Sequence, residues 1–117
     1  MFDANGLKLI NDTYGHKMGD ELLIKLSDTL RATFRGSYIF RWGGDEFVVV
    51  IKDADEAKVI DQIDKFRDKM SKTTVSDYKI SAAIGFAIDG ASEDNIYEML
   101  DQAEKMVRTF AKKILLV

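Results

Sequence analysis

Apolar residues recur along this chain with two periods, and the places where the period changes divide it into elements. From Gly19 to Phe34, the residues Leu22, Leu23, Leu26, Leu30 and Phe34 fall at helical spacing with charges between them, which predicts an amphipathic helix. A second helix is predicted from about Asp55 to Ser71. Its stripe is Val59, Ile60, Ile63, Phe66 and Met70, and the acids at its start suit the helix dipole. A third is predicted to begin near Ser92, a suitable N-cap, with Ile96, Leu100, Ala103, Val107 and Phe110 on one face.

Between the helices the period falls to two. Tyr78, Ile80, Ala82, Ile84, Phe86 and Ile88 alternate with smaller or more polar residues, which predicts one strand with a heavier face. Tyr38 to Trp42 and Glu46 to Ile51 flank Gly43-Gly44-Asp45 and read as a β-hairpin. Met1 to Ala4 reads as the end of another strand. The order β-α-β-β-α-β-α implies an α+β, two-layer domain whose antiparallel sheet carries helices on one face.

Composition narrows the class. The 117 residues, without linker, repeat or low-complexity tract, are expected to form one domain spanning 1–117, and 46% hydrophobic with 32% charged is ordinary for a globular chain. The absence of cysteine excludes a disulfide scaffold, a thiolate zinc site and a cysteine nucleophile. The longest apolar runs, Phe47 to Ile51 and Ile114 to Val117, are far short of a membrane span, and the N-terminus has no secretory pattern. A cytoplasmic domain without membrane contact is expected. A net charge of −3 argues against nucleic-acid binding and suggests that a phosphate ligand would need a metal to mediate it.

Three acids stand where strands meet turns. Asp3 closes the first strand, and Asp45 and Glu46 follow the Gly-Gly pair. Carboxylates at strand ends can converge on Mg²⁺, which takes oxygen ligands and leaves room for phosphates. Gly43 and Gly44, lacking Cβ atoms, let a ligand approach the backbone. Taken alone, Gly-Gly-Asp is equally a sound hairpin turn with a solvated acid. Residues 3–20 add Lys8, suited to a phosphate oxygen, and Asn11, Asp12, His16 and Asp20, suited to hydrogen-bonding a purine edge. Singly, each also has a plain account as part of a loop capping the next helix.

The two segments together resemble the GGDEF family of bacterial diguanylate cyclase domains. The resemblance runs from Asp3 to about Leu100. It is carried by Asp3-x-Asn5-x-Leu7-Lys8, Asn11-Asp12, Gly15-His16, Gly19-Asp20 and the signature Arg41-Trp42-Gly43-Gly44-Asp45-Glu46-Phe47. It implies a β-α-β-β-α-β core like that of palm-type polymerases and nucleotidyl cyclases. It also implies a homodimer in which each domain holds one GTP with Mg²⁺ (or Mn²⁺), and a product, cyclic di-GMP. By the same resemblance Asp3, the Ala4 carbonyl and Asp45 match metal ligands. Asp45 is the favoured base for the 3′-hydroxyl, and Glu46 supports the metal or the ribose. Asn11 and Asp20 match guanine readers with His16 beside them, Lys8 steadies phosphate charge, and Gly43 and Gly44 leave space for ribose and phosphates. A sensory or regulatory domain upstream in the full-length protein is expected. The alternative is a catalytically silent module of the same family that binds GTP or only a partner protein. A third reading is another palm-type nucleotidyl cyclase or a polymerase fragment.

The chain departs from the family pattern at three places. Phe34-Arg35-Gly36-Ser37 stands where product-inhibited members carry Arg-x-x-Asp. Ala103-Glu104 echoes the start of the last helical motif, but the rest is not reproduced, and Lys112 is the candidate replacement for its phosphate-binding lysine. Against the family pattern, the leading helix and most of the first strand are expected to be absent. Met1 to Asp3 is therefore expected to be too short to pair along a central sheet, with the β-favouring run Ile114 to Val117 supplying the missing strand, within the chain or by exchange with a neighbour. The alternatives are a truncated chain, or a tail that forms the family's ordinary closing edge strand.

Overall fold

The structure is a computed structural model that describes residues 1–75, 78–87 and 96–115. Its elements in chain order are β1 (Phe2–Ala4), α1 (Leu7–Tyr14), α2 (His16–Thr33), β2 (Tyr38–Arg41), β3 (Glu46–Val50), α3 (Glu56–Ser71), β4 (Thr74–Val75), β5 (Tyr78–Lys79), β6 (Ala82–Ile84) and α4 (Ile96–Leu115). The predicted stripes of α2 and α3 are the faces that are buried, except that Ile60 remains 42% exposed. Asp55 caps α3 by accepting a hydrogen bond from the Lys58 amide at 2.8 Å. Ser92, the expected cap of the last helix, lies outside the described residues.

Four strands form one antiparallel sheet in the order β2-β3-β1-β6. The short first strand is interior, contrary to the expectation that it could not pair there. Phe2 stands opposite Phe47 on one side and Ile84 on the other, and Asp3 stands opposite Glu46 and Ala83. Three residues suffice because β1 is laddered on both edges and its side chains are anchored. The Phe2 ring is 3% exposed and meets Phe34 and Phe66 edge to face at 5.5 and 4.9 Å. Ile114 and Leu115 belong to α4, so the expected strand contribution from Ile114 to Val117 is overturned for those two; residues 116–117 lie outside the described residues.

The predicted strand from Tyr78 to Ile88 is also broken. β5 pairs with β4 in a separate two-stranded sheet, and β6 pairs with β1. Alternation survives the break, with Ile80 and Ile84 both buried, because side-chain period does not depend on which strand supplies the ladder partner. At the break, the Asn5 amide donates to the Ser81 carbonyl at 2.9 Å and Asn5 Nδ2 to Ser81 Oγ at 3.0 Å.

Helices cover both faces of the sheet, where the sequence pattern predicts one. Phe2, Phe47 and Ile84 share the main core with Leu22, Leu26 and Leu30 of α2 and Ile63 and Phe66 of α3. Val48 and Ala83, which point the other way, pack with Ala103 and Val107 of α4. Among the described residues no helix is long and apolar enough to cross a membrane.

Candidate active site

Backbone pairing brings the acids together. β1 and β3 run antiparallel in a register that sets Asp3 beside Glu46, and the Ala4 amide donates to the Asp45 carbonyl at 2.8 Å. The hairpin is closed by the Trp42 amide on the Glu46 carbonyl at 2.8 Å. Arg41 grips the turn from the side: its Nε donates to the Gly43 carbonyl at 3.3 Å and its Nη2 to the Gly44 carbonyl at 2.8 Å. As a result one carboxylate oxygen from each of Asp3, Asp45 and Glu46 lies within 4.8 Å of the others, all three residues being half-buried.

Three like charges so close cannot all stay ionised without a counter-charge. Burial first, then the charge of Asp45, a hydrogen bond with Asp45 and the charge of Glu46 push the Asp3 carboxyl up from 3.8 to about 7. The donor set is all oxygen, partly shielded from water and electrostatically unsatisfied. It fits a hard divalent cation such as Mg²⁺ or Mn²⁺.

The residues between Asp3 and Asp20 are helical, where the sequence pattern reads a polar loop. Leu7, Ile10 and Tyr14 do recur at helical spacing, but the run is short and buries only Ile10, so among its polar neighbours it reads as a loop. Gly15, at φ +91°, breaks the segment into α1 and α2, a conformation that a residue with a Cβ rarely adopts. Lys8 is exposed in the first turn of α1, whose leading amides helix geometry leaves without intrahelical partners. Asn11 is half-buried farther along the same helix, and its Oδ1 is buried without a hydrogen-bond partner among the described residues. His16 opens α2 and is exposed. Asp20, also exposed, lies on the wall of an open cleft of about 600 Å³ between α2 and the β2–β3 hairpin, shared with Leu23, Ile24, Ile39, Arg41 and Phe47. Gly43 and Gly44 are exposed at the hairpin tip. The structure thus joins Asp3, Asp45 and Glu46 directly. Among the described residues it shows no hydrogen bond or ion pair for the side chain of Lys8 or of His16.

Sequence reading gives no role to two residues that the structure ties to the site. Arg41 clamps the signature turn, and its place two residues before a Gly-Gly pair is the available signal, since a guanidinium fork can bind two carbonyls at once. Asn5 fastens the end of β1 to Ser81, a contact with no local sequence mark.

The profile described as "Diguanylate cyclase, GGDEF domain" matches residues 1–113. The diguanylate cyclase DosC of Escherichia coli is 35% identical over 119 residues, an alignment covering 97% of this chain and 25% of that protein. The bifunctional diguanylate cyclase/cyclic di-GMP phosphodiesterase MucR of Pseudomonas aeruginosa is 35% identical over 106 residues, covering 87% of this chain and 16% of that protein. The chain therefore spans a quarter or less of the length of these curated relatives. Among solved structures, the GGDEF domain of DgcB from Caulobacter crescentus in complex with c-di-GMP superposes with a TM-score of 0.81 at 20% identity, covering 96% of this chain and 70% of that one. The active GGEEF domain of a diguanylate cyclase from Vibrio cholerae gives 0.81 at 19% identity, covering 96% and 74%. The chain belongs to the GGDEF family of diguanylate cyclase domains.

Proposed function

We propose that this domain binds GTP with Mg²⁺ or Mn²⁺ and, paired with a second copy, joins two GTP molecules into cyclic di-GMP with release of two pyrophosphates. The observation that supports this reading most directly is the convergence of Asp3 with Asp45 and Glu46, a pair distant from it in sequence, at a surface turn whose two glycines present bare backbone. Asp3 and Asp45, with the Ala4 carbonyl, would hold the metal and Glu46 would support it. The bound ion supplies charge neutralisation for the triphosphate.

The remaining work falls to the protein's own groups. Asn11 and Asp20, with His16 beside them, orient the guanine. Lys8 and the first-turn amides of α1 neutralise phosphate oxygens. Asp45 accepts the proton of the 3′-hydroxyl. That oxygen forms a bond to the α-phosphorus of the GTP held by the partner domain as the bond to pyrophosphate breaks. One domain presents one such acid cluster, so two copies facing each other complete a symmetric reaction. The domain would work in the cytoplasm, where GTP is available, as one unit over residues 1–117. The greater length of its relatives accords with a sensory or regulatory domain elsewhere in the full protein.

Incubation with GTP and MgCl₂ followed by chromatographic identification of the products tests this. Cyclic di-GMP and pyrophosphate in a 1:2 ratio are expected. Saturable GTP binding with no product would assign the chain instead as a silent signalling module, and a different nucleotide product would assign another cyclase chemistry.

A further inference from the structure

Helices α1 and α2 pack against each other on either side of Gly15, and Gly19 lies inside α2 where they meet. Its φ is not among the positive values of the chain, so the backbone does not call for glycine there, and glycine is a poorer helix former than alanine. A side chain explains it. A Cβ built on Gly19 would lie 1.8 Å from Asn11 Oδ1, 2.9 Å from Asn11 Cγ and 3.2 Å from Leu7 Cδ1. The Asn11 carboxamide therefore occupies the volume that any other residue would claim, with Leu7 on its flank. Its Oδ1, buried without a hydrogen-bond partner among the described residues, rests against the bare Cα of Gly19, where a Cα–H takes the direction of the missing side chain.

We infer that Gly19 is a positioning residue for guanine selectivity: its bare Cα is the seat that fixes the Asn11 carboxamide. The inference rests on the proposed role of Asn11 as a guanine reader. The obstacle is the end of a side chain, which can swing away. A methyl group at position 19 should therefore spare the fold and displace the reader.

The test uses Gly19→Ala, Asn11→Ala and the double variant of the 117-residue chain. Each is titrated with the α,β-methylene analogues of GTP and ATP, which cannot release pyrophosphate, and each is melted without nucleotide. Each single change should lower the ratio of guanine to adenine affinity by roughly tenfold, the scale of one lost hydrogen bond, and the double should lose no more than either. In melting, adding Gly19→Ala to Asn11→Ala should raise Tm, because the clash is gone and alanine favours the helix. Adding it to the unaltered chain should not. A wild-type affinity ratio in Gly19→Ala alongside a reduced one in Asn11→Ala overturns the inference and leaves the guanine reading standing, as do losses that multiply in the double. An unchanged ratio in Asn11→Ala overturns the guanine reading and the inference with it. Should Gly19→Ala alone fail to fold, a folded double variant supports the seat, and an unfolded one overturns it.

Discussion

Asp3, Asp45 and Glu46 are held at mutual distances that their charges oppose, and the backbone ladder is what holds them. Replacing Asp45 by asparagine removes one charge and keeps the shape. Asp45→Asn should therefore lower the rate of cyclic di-GMP formation at least about a hundredfold, the lower range for a lost proton acceptor. It should also let the Asp3 pKa fall from about 7 toward its ordinary value and leave Tm equal or higher. Steady-state rates, carboxyl titration by NMR and thermal melting check the three parts. A variant with wild-type turnover would remove Asp45 from the mechanism. The identities of these residues were legible in the sequence as acids at strand ends. Their spacing and the raised pKa were not, because the spacing arises from the register between β1 and β3, and the raised pKa from burial first and then from that spacing.

Elements meet at two glycines with opposite consequences, since the obstacle at Gly19 is a side chain that can move and the obstacle at Gly85 is backbone. At Gly85 a Cβ would stand 2.1 Å from the carbonyl oxygen of Ala103, which is the backbone of α4 and cannot swing aside. Gly85→Ala should push α4 off the sheet and cost about 1–3 kcal/mol, the usual range for overpacking, measured as a lower midpoint in urea. Midpoints unchanged within error would mean that α4 docks more loosely than the structure shows. The end of α2 carries a second consequence. Phe34, where a product-inhibited member is expected from the sequence pattern to carry arginine, is 2% exposed and packed among Phe2 and Phe66. Cyclic di-GMP added at high concentration should leave the initial rate unchanged. Non-competitive inhibition would place a regulatory site elsewhere. The α2 and α3 stripes were readable because long amphipathic periods average over local noise. Helix α1 was not, since its eight residues bury only Ile10.

For the molecule as a whole, the raised Asp3 pKa sets a pH dependence whose sign can be worked out. The folded chain holds this proton up to about pH 7, whereas the unfolded chain releases it near 3.8. Between those values the folded state binds more protons, so stability falls as pH rises through the window. The Met1 ammonium, lowered by burial to about 6, gives the opposite slope from about pH 6 to 8 and cancels on comparison with an Asp3→Asn variant. With a chelator present, Tm of the unaltered chain relative to Asp3→Asn should decline from pH 5 to 8. Excess Mg²⁺ should raise Tm most at pH 8, where the carboxylates are charged and a cation offsets their repulsion. A relative Tm that climbs with pH under chelator would contradict the raised pKa.

By itself the sequence determined the α+β class, the extent of α3, the hairpin around Gly43 and Gly44, and the family, because periodicity, glycine turns and signature residues are local marks written in consecutive positions. Only the tertiary structure decided that Phe2–Ala4 is an interior strand, that the 78–84 run divides between two sheets, that α4 covers the second face, and that Asn11 rests on Gly19. Those features depend on which distant segments pair and how closely they approach. Pairing is settled by competition among all burial and hydrogen-bonding options at once, and no window of neighbouring residues contains that competition.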